Sequence, residues 1–370
     1  MHDVLIIGGG VMGLTTAWEL AKTGLRVAVL DRAQPGREAS WAGAGILPPG
    51  HRGDPNDPLA PLLRRATELW PEVTDALRDQ TGIDNGFRRC GEIQVLEDPA
   101  RLESDLDGWR INGVRAEPLS AEALRDLEPA ASRDVPAAYV LPDACQVRNP
   151  WHVRALGEAC RAAGVEIVCD REAVGFHMSN GRVDAVRTAA GDLSAGAFLV
   201  AGGAWSGEIL KSIGRALELE PVRGQMVLLK TPSPLIRHIL EIGARYVVPR
   251  TDGRLLIGST EEWVGFVKQN TAGGVAGLVE FGRRLVPGLS EATLEACWSG
   301  LRPHTRRGTP FLGAMPECSN LFLAAGHFRA GLHLSTVTGR LMAQAIRGEE
   351  PELSLRAFAV NLNRQPDRQS

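Results

Sequence analysis

Two sets of residues in this 370-residue chain have types and spacings that could do chemistry. The first is Gly8-Gly9-Gly10-Val11-Met12-Gly13, which is GxGxxG with Gly8, Gly10 and Gly13 in the three required places. In that pattern the first glycine permits a tight turn and the second lets backbone N–H groups approach a pyrophosphate. The third lets a helix pack on a strand. The phosphates would lie at the helix N-terminus, where unpaired N–H groups and the dipole favour negative charge. Asp31 lies one helix and one strand further on, where an acid accepts hydrogen bonds from a ribose diol. This pattern alone does not separate NAD from FAD. The second set is cationic. Arg302 stands in Ser299-Gly300-Leu301-Arg302-Pro303, and Arg329 stands among small and apolar residues in AAGHFRAGLHLSTVTG, a stretch that reads as buried. Arginine is rarely buried unless paired. Its fork matches a carboxylate with two parallel charge-assisted hydrogen bonds. An ion pair with one of the chain's own acids is the alternative at both positions.

These residues need elements to hold them. Val4–Ile7 reads as a strand buried on both faces, Leu14 to Thr23 as a helix closed by Gly24, and Arg26–Leu30 as a second strand ending at Asp31. The run 37–47, Arg-Glu-Ala-Ser-Trp-Ala-Gly-Ala-Gly-Ile-Leu, is a small-residue loop with much backbone to offer to a flat ring or a pyrophosphate. A helix is expected over 58–80, mixed short elements over 85–145, and a helix over 149–164 with Asn149 as N-cap and Pro150 at its first position. Strands follow at 165–168, 173–176 and 183–188, the last two joined by an Asn180-Gly181 turn. Phe198–Ala201 and Leu321–Gly326 are further buried strands that run into glycine at their carboxyl ends, where open α/β sheets place ligands. Strands at 221–229, a hairpin over 245–258 turning at Thr251-Asp252-Gly253, and helices over 275–285 and 334–347 complete the chain. Nucleotide-type signals thus recur at its start, middle and end. A nucleotide domain assembled from three segments, with two insertions forming a second domain, accounts for that spacing.

Composition excludes several classes of function. Lys+Arg 41 against Asp+Glu 44 gives a net charge of −3, without long runs of one sign, so neither nucleic acid nor an anionic membrane is an expected partner. No apolar stretch approaches the ~18 residues of a membrane span. The six cysteines form no CxxC pair or metal-ligand spacing, so no metal is expected. The N-terminus reads as a strand and not as a signal peptide, and reduced cysteines in a cytoplasmic protein are expected. Neither GxSxG nor HExxH is present.

The motifs IIGGGVMG, ASWAGAGIL, PVRGQM, YVVPRTDGRLLIGST, SGLRPHTRRGTPFLG and LFLAAGHFRAG, in this order over almost the whole chain, resemble the FAD-dependent D-amino acid oxidase family. Within it they resemble the glycine oxidases of thiamine biosynthesis. The resemblance implies an α/β, two-domain (α+β) architecture: a discontinuous Rossmann-like FAD-binding domain (1–84, 146–220 and 299–370) and a substrate domain on a large antiparallel or mixed sheet (85–145 and 221–298). It implies FAD contacts from Gly8, Gly10, Val11, Met12 and Gly13, from Asp31 and Arg32 at the ribose, and from Ala39, Ser40, Ala44, Gly45 and Ile46 along the pyrophosphate and flavin. Val174 would lie at the adenosine, and His327, Phe328, Arg329, Ala330, Gly331, Leu332 and His333 beside the isoalloxazine. By the same match Arg302 binds the substrate carboxylate, while Tyr246, one of two tyrosines, and Arg329 line the pocket.

The implied reaction is hydride transfer from the α-carbon of a small amino acid to flavin N5, without an essential acid–base side chain provided the amine binds unprotonated. The imine supplies thiazole synthesis or hydrolyses to an oxo acid (glyoxylate, for glycine) and ammonia, and dioxygen becomes hydrogen peroxide. The positive N-terminus of the terminal helix is expected near the reduced flavin. Two departures stand out. Pro48-Pro49 follow Leu47 where the glycine oxidases can have smaller residues. No cysteine lies near Leu301-Arg302, where the sarcosine-oxidase branch tethers its flavin, and Cys297 is too far upstream, so the FAD is expected to be non-covalent. Alternatives are a sarcosine or D-amino acid oxidase, a dehydrogenase passing electrons to a quinone, and a non-catalytic flavoprotein redox sensor. Homo-oligomerisation is left open.

Overall fold

A computed structural model describes residues 2–316 and 318–360. Two large sheets carry the molecule. In the six-stranded sheet the order is Phe311–Ala314, Leu321–Ala325, Ala195–Val200, His2–Ile7, Val27–Leu30 and Glu166–Val168, parallel throughout except for the first, antiparallel pair. Alternate residues of the central strand serve two cores. Val4 and Ile6 pack with Leu14 and Trp18 of the helix Val11–Ala21, while Leu5 and Ile7 pack with Phe176, Val186 and Phe198 under the hairpin 173–188. Burying one such side chain contributes about 1.5–3 kcal/mol, which is why both faces read as continuous apolar runs. Ile7 pairs with both Leu30 and Val200, so the strands end together. That common edge carries Gly8, Asp31 and Gly202.

The eight-stranded sheet runs Thr293–Thr305, Leu219–Lys230, Arg254–Gly258, Arg245–Pro249, Ile239–Ile242, Glu92–Leu96, Ala137–Leu141 and Glu117–Leu119, antiparallel except where Ile239–Ile242 meets Glu92–Leu96. It is the large mixed sheet that the family resemblance implies. One face is covered by the helix Ala272–Leu285 through Leu278, Phe281 and Leu285 on Val227, Val247 and Ile257. The opposite face carries Met226, Tyr246 and Val248 and meets Ala44. Residues 299–305, grouped above with the C-terminal segment, are the end of the strand Thr293–Thr305 and pair with Leu219–Gln225.

Local details differ from the sequence expectation in three places. The loop 37–47 contains a helical turn, Ala39–Ala42, and a short strand, Ile46–Leu47, paired with Cys145–Gln146. Asn149 does not cap its helix. Its Nδ2 donates instead to the Ser40 carbonyl at 3.0 Å, so the amide serves the loop across from it. The last long helix starts at Gly331, a turn earlier than periodicity places it. The long helix Leu59–Thr81 ends as expected of a glycine cap, with Gly82 at φ 69° donating to the Arg78 carbonyl.

Candidate active site

The glycine motif forms a cradle whose shape leaves no room for side chains. Gly8 has φ 109°, and a Cβ there would sit 2.4 Å from the Ala201 carbonyl oxygen. Gly10 precedes the helix Val11–Ala21, which has neither a side-chain cap nor an acid in its first turn. Its leading N–H groups are thus available to an anion, apart from that of Val11, which donates to Ser40 Oγ at 3.0 Å. Gly13 differs from the expectation that it touches the cofactor. It lies off the cavity, and its Cβ would be 1.9 Å from the Gly8 carbonyl, so it lets the helix close on the strand. Asp31 Oδ2 accepts from the Gly9 N–H at 2.7 Å and Oδ1 from the Ala33 N–H at 3.0 Å; burial pushes its pKa up, against these two bonds. Arg32 stacks 3.7 Å above the Trp205 ring and pairs with Glu38, which also holds Lys268. Val174 is exposed at the rim.

Ala39, Ser40, Ala44, Gly45 and Ile46 line the same cavity. Gly45 takes φ 78°, and a Cβ would lie 1.9 Å from the Val147 carbonyl. Behind this turn is a residue the sequence reading missed. Arg250 is buried, donates to the carbonyls of Ala44 (2.7 Å) and Val147 (3.2 Å) and to Gln146 Oε1 (2.5 Å), and among the described residues forms no ion pair. Burial, with Arg148 and Arg88 nearby, pushes its pKa down to about 9. Its only sequence signal is a cation at the mouth of a hairpin turn.

The segment 327–333 forms another wall. The chain leaves the strand at Gly326 (φ 88°), turns through Phe328 (φ 48°) and enters the helix Gly331–Ile346, which again lacks a side-chain cap and a first-turn acid. His327 and His333 are buried, and burial lowers them to about 3 and about 4, so both are neutral at pH 7. His333 Nε2 meets Thr67 Oγ1 at 3.0 Å, while its Nδ1 has no protein partner. Arg329, expected to be buried, is exposed: the turn through Phe328 carries it outward, and its Nη2 donates to the Ala244 carbonyl at 3.1 Å.

Arg302 and Tyr246 stand on the cavity side of the eight-stranded sheet. Arg302 donates to Ser259 Oγ and to the Thr260 carbonyl at 3.2 Å. Both acceptors are neutral, and among the described residues Arg302 forms no ion pair. Burial lowers its pKa, with Tyr246 the largest opposing influence. Gly224 makes its space, because a Cβ there would lie 2.4 Å from both terminal nitrogens. Tyr246 is buried; its hydroxyl lies 3.5 Å from the Met226 sulfur, a weak acceptor, and within reach of the Arg302 guanidinium. A single cavity of about 790 Å³ is lined by every residue expected from sequence except Gly13. It runs from the glycine cradle past His327–His333 to Arg302.

Glycine cradle, uncapped helix and the acid at Asp31 fit a dinucleotide, and the cavity continues beyond them to a cation without an ion pair among the described residues. A family model described as FAD dependent oxidoreductase matches residues 3–345. The chain belongs to this family of FAD-dependent oxidoreductases. FAD is therefore its cofactor, for which the observed cradle leaves room. The chain is 34% identical over 362 residues to the glycine oxidase of Pseudomonas putida, covering 96% of this chain and 98% of that protein. It is 33% identical over 96% of its length to the bifunctional protein ThiO/ThiG of Trichormus variabilis, where it spans 54% of that longer protein. The crystal structure of glycine oxidase from Geobacillus kaustophilus superposes with a TM-score of 0.93 at 33% identity, covering 97% of this chain and 98% of that one. No helix among the described residues is long and apolar enough to cross a membrane.

Proposed function

We propose that this flavoprotein oxidises glycine, and other small neutral amino acids or amines, to the imine. The observation that carries the reading is Arg302: a cation mostly removed from water, bonded only to neutral acceptors, and facing the same cavity as the dinucleotide cradle. A buried cation without a counter-ion is costly unless a ligand supplies one. A carboxylate supplies it and takes the fork bidentately. Tyr246, whose hydroxyl has the Met226 thioether and the Arg302 guanidinium beside it, offers a third bond. Two or three bonds to one carboxylate fix the α-carbon in place, the positioning that this chemistry asks of a protein.

The FAD contacts proposed are the backbone of Gly10–Met12 for the pyrophosphate, Asp31 and Arg32 for the ribose, Val174 for the adenosine and the 39–46 turn with 327–333 for the flavin. When bound, non-covalently, FAD supplies the hydride acceptor. The uncapped N-terminus of Gly331–Ile346 and the unpaired Nδ1 of His333 offer it polar contacts from a neutral wall. Release of the imine to water gives an oxo acid and ammonia, with dioxygen as the terminal oxidant. Likeness to a bifunctional ThiO/ThiG protein supports delivery of the imine to thiamine thiazole synthesis.

Anaerobic mixing of the holoenzyme with glycine, sarcosine and D-alanine tests this reading. Glycine is expected to bleach the oxidised flavin spectrum, and air to restore it with formation of peroxide. A flavin left oxidised by all three substrates would defeat the reading. A flavin bleached by glycine but slow to recover in air would make the protein a dehydrogenase.

A further inference from the structure

A cavity that reduces dioxygen to hydrogen peroxide exposes its own wall to an oxidant. Two sulfur-bearing residues line that wall among the described residues, Met12 at the glycine cradle and Met226 beside Tyr246; no cysteine does. A thiol reacts with peroxide as its thiolate, whereas a thioether needs no deprotonation. Burial also pushes the thiols up, Cys145 to about 11 and Cys160 to about 12. Methionine is therefore the side chain to follow.

The surroundings of Met226 set it apart. Gly258 faces Met226 on one neighbouring strand and Tyr246 on the other, so the three lie in a row on the cavity side of the sheet. Having no side chain, Gly258 lets the outer two meet over it: a Cβ there would lie 2.4 Å from Met226 Sδ and 2.7 Å from Tyr246 Cε2. The Tyr246 hydroxyl thus stands 3.5 Å from the sulfur. That hydroxyl is within reach of the Arg302 guanidinium, which has no ion-pair partner among the described residues. Sulfur, hydroxyl and guanidinium gather about the place proposed above for the substrate's carboxylate. Met226 is only 2% exposed, so an oxidant reaches its sulfur by way of the cavity, whereas Met178 is 41% exposed to bulk water.

We propose that Met226 is a modification site: hydrogen peroxide oxidises its sulfur, and the sulfoxide so formed blocks the carboxylate anchor. The O–O bond of peroxide breaks and an S=O bond forms. Sulfur loses two electrons, and the second oxygen leaves with both hydrogens as water. A weak acceptor becomes a strong one within reach of the Tyr246 hydroxyl and the Arg302 guanidinium, the two groups that would otherwise hold the substrate. Activity is thereby limited by the enzyme's own product, an inference that rests on the amino acid oxidase reading above.

The test follows the holoenzyme through prolonged turnover of glycine in air, measuring kcat/KM and the mass of each methionine-containing peptide in the same samples. Met226 is expected to gain one oxygen, and kcat/KM for glycine to fall in proportion to the fraction oxidised, with FAD content unchanged. Catalase should prevent both changes, and glycolate, which fills the carboxylate's place, should slow both when peroxide is added without glycine. Met226→Leu has no sulfur and nearly the same volume, so it should keep its own starting kcat/KM through the same exposure. Met178→Leu should be no more resistant than wild type. Activity lost with Met226 unmodified, Met226 oxidised without loss, or Met226→Leu inactivated as fast as wild type overturns the proposal. If Met226→Leu does not retain FAD, the proportionality in wild type and its suppression by glycolate decide. Wild type that forms peroxide yet keeps Met226 intact removes the proposal alone. Wild type that forms no peroxide from glycine, sarcosine or D-alanine removes the functional reading and the proposal together.

Discussion

Replacing Arg302 by leucine separates a substrate anchor from a structural ion pair. In the folded protein its guanidinium gives hydrogen bonds to Ser259 Oγ and the Thr260 carbonyl, and no acid among the described residues is paired with it. Losing two bonds to neutral acceptors costs about 0.5–1.5 kcal/mol each, offset by removal of an unpaired buried cation. The melting temperature should therefore move by only a few degrees, and FAD content should stay near wild type. Kinetics should change far more. Truncating one partner of a buried, hydrogen-bonded charge pair costs about 2–5 kcal/mol, which is roughly a 30-fold to several-thousand-fold loss in kcat/KM. Arg302→Lys should recover part of it, since an ammonium keeps the charge but not the fork. Steady-state glycine oxidation and thermal melting on one preparation decide the matter. Near-normal kcat/KM beside a large drop in stability would refute the reasoning.

Gly224→Ala should reproduce the kinetic defect without touching the arginine, because its Cβ would lie 2.4 Å from the guanidinium nitrogens; unchanged kcat/KM would show that the guanidinium can shift harmlessly. Asp31→Ala should weaken FAD binding by about 1.5–3 kcal/mol, roughly 10- to 150-fold in Kd, with little effect on the substrate KM of residual holoenzyme; an unaltered Kd from flavin titration would remove Asp31 from the ribose. Acid precipitation should leave the flavin in the supernatant, and yellow pellets would reveal a tether. Acid should also destabilise the fold. His152, His327 and His333 are buried with pKa values lowered from 6.5 to about 3, about 3 and about 4, so the unfolded chain binds more protons as pH falls below 6.5. At pH 5.5 this linkage amounts to about 1.4 kcal/mol per histidine, about 4 kcal/mol for the three, and a melting temperature level from pH 7.5 to 5.5 would contradict it.

Much of the fold was legible because its signals are local. The glycine cradle, the strands flanking it, the Asn180-Gly181 turn and the hairpin at 251–253 depend on residues adjacent in sequence, and each appears where their chemistry places it. What escaped depends on register between distant segments. Met226 and Tyr246 stand on separate strands, and only the pairing of each with Gly258 brings them together on one face. The isolation of Arg302 could not be read from its neighbours, since it depends on which acids fold elsewhere. Arg329 misled for the opposite reason: apolar neighbours suggest burial, but a turn through Phe328 at φ 48° sends its side chain outward. Gly13, a cofactor contact by resemblance, is the packing residue that its motif asks for, as its 1.9 Å approach to the Gly8 carbonyl makes plain.

The most direct test of the central claim is a crystal structure of the FAD-loaded enzyme with glycolate, which keeps glycine's carboxylate and lacks its amine. The account predicts both carboxylate oxygens on the Arg302 guanidinium with the Tyr246 hydroxyl alongside, and the pyrophosphate over the backbone of Gly10–Met12. A carboxylate held elsewhere in the cavity, or an Arg302 turned away to an acid of the protein, would contradict it.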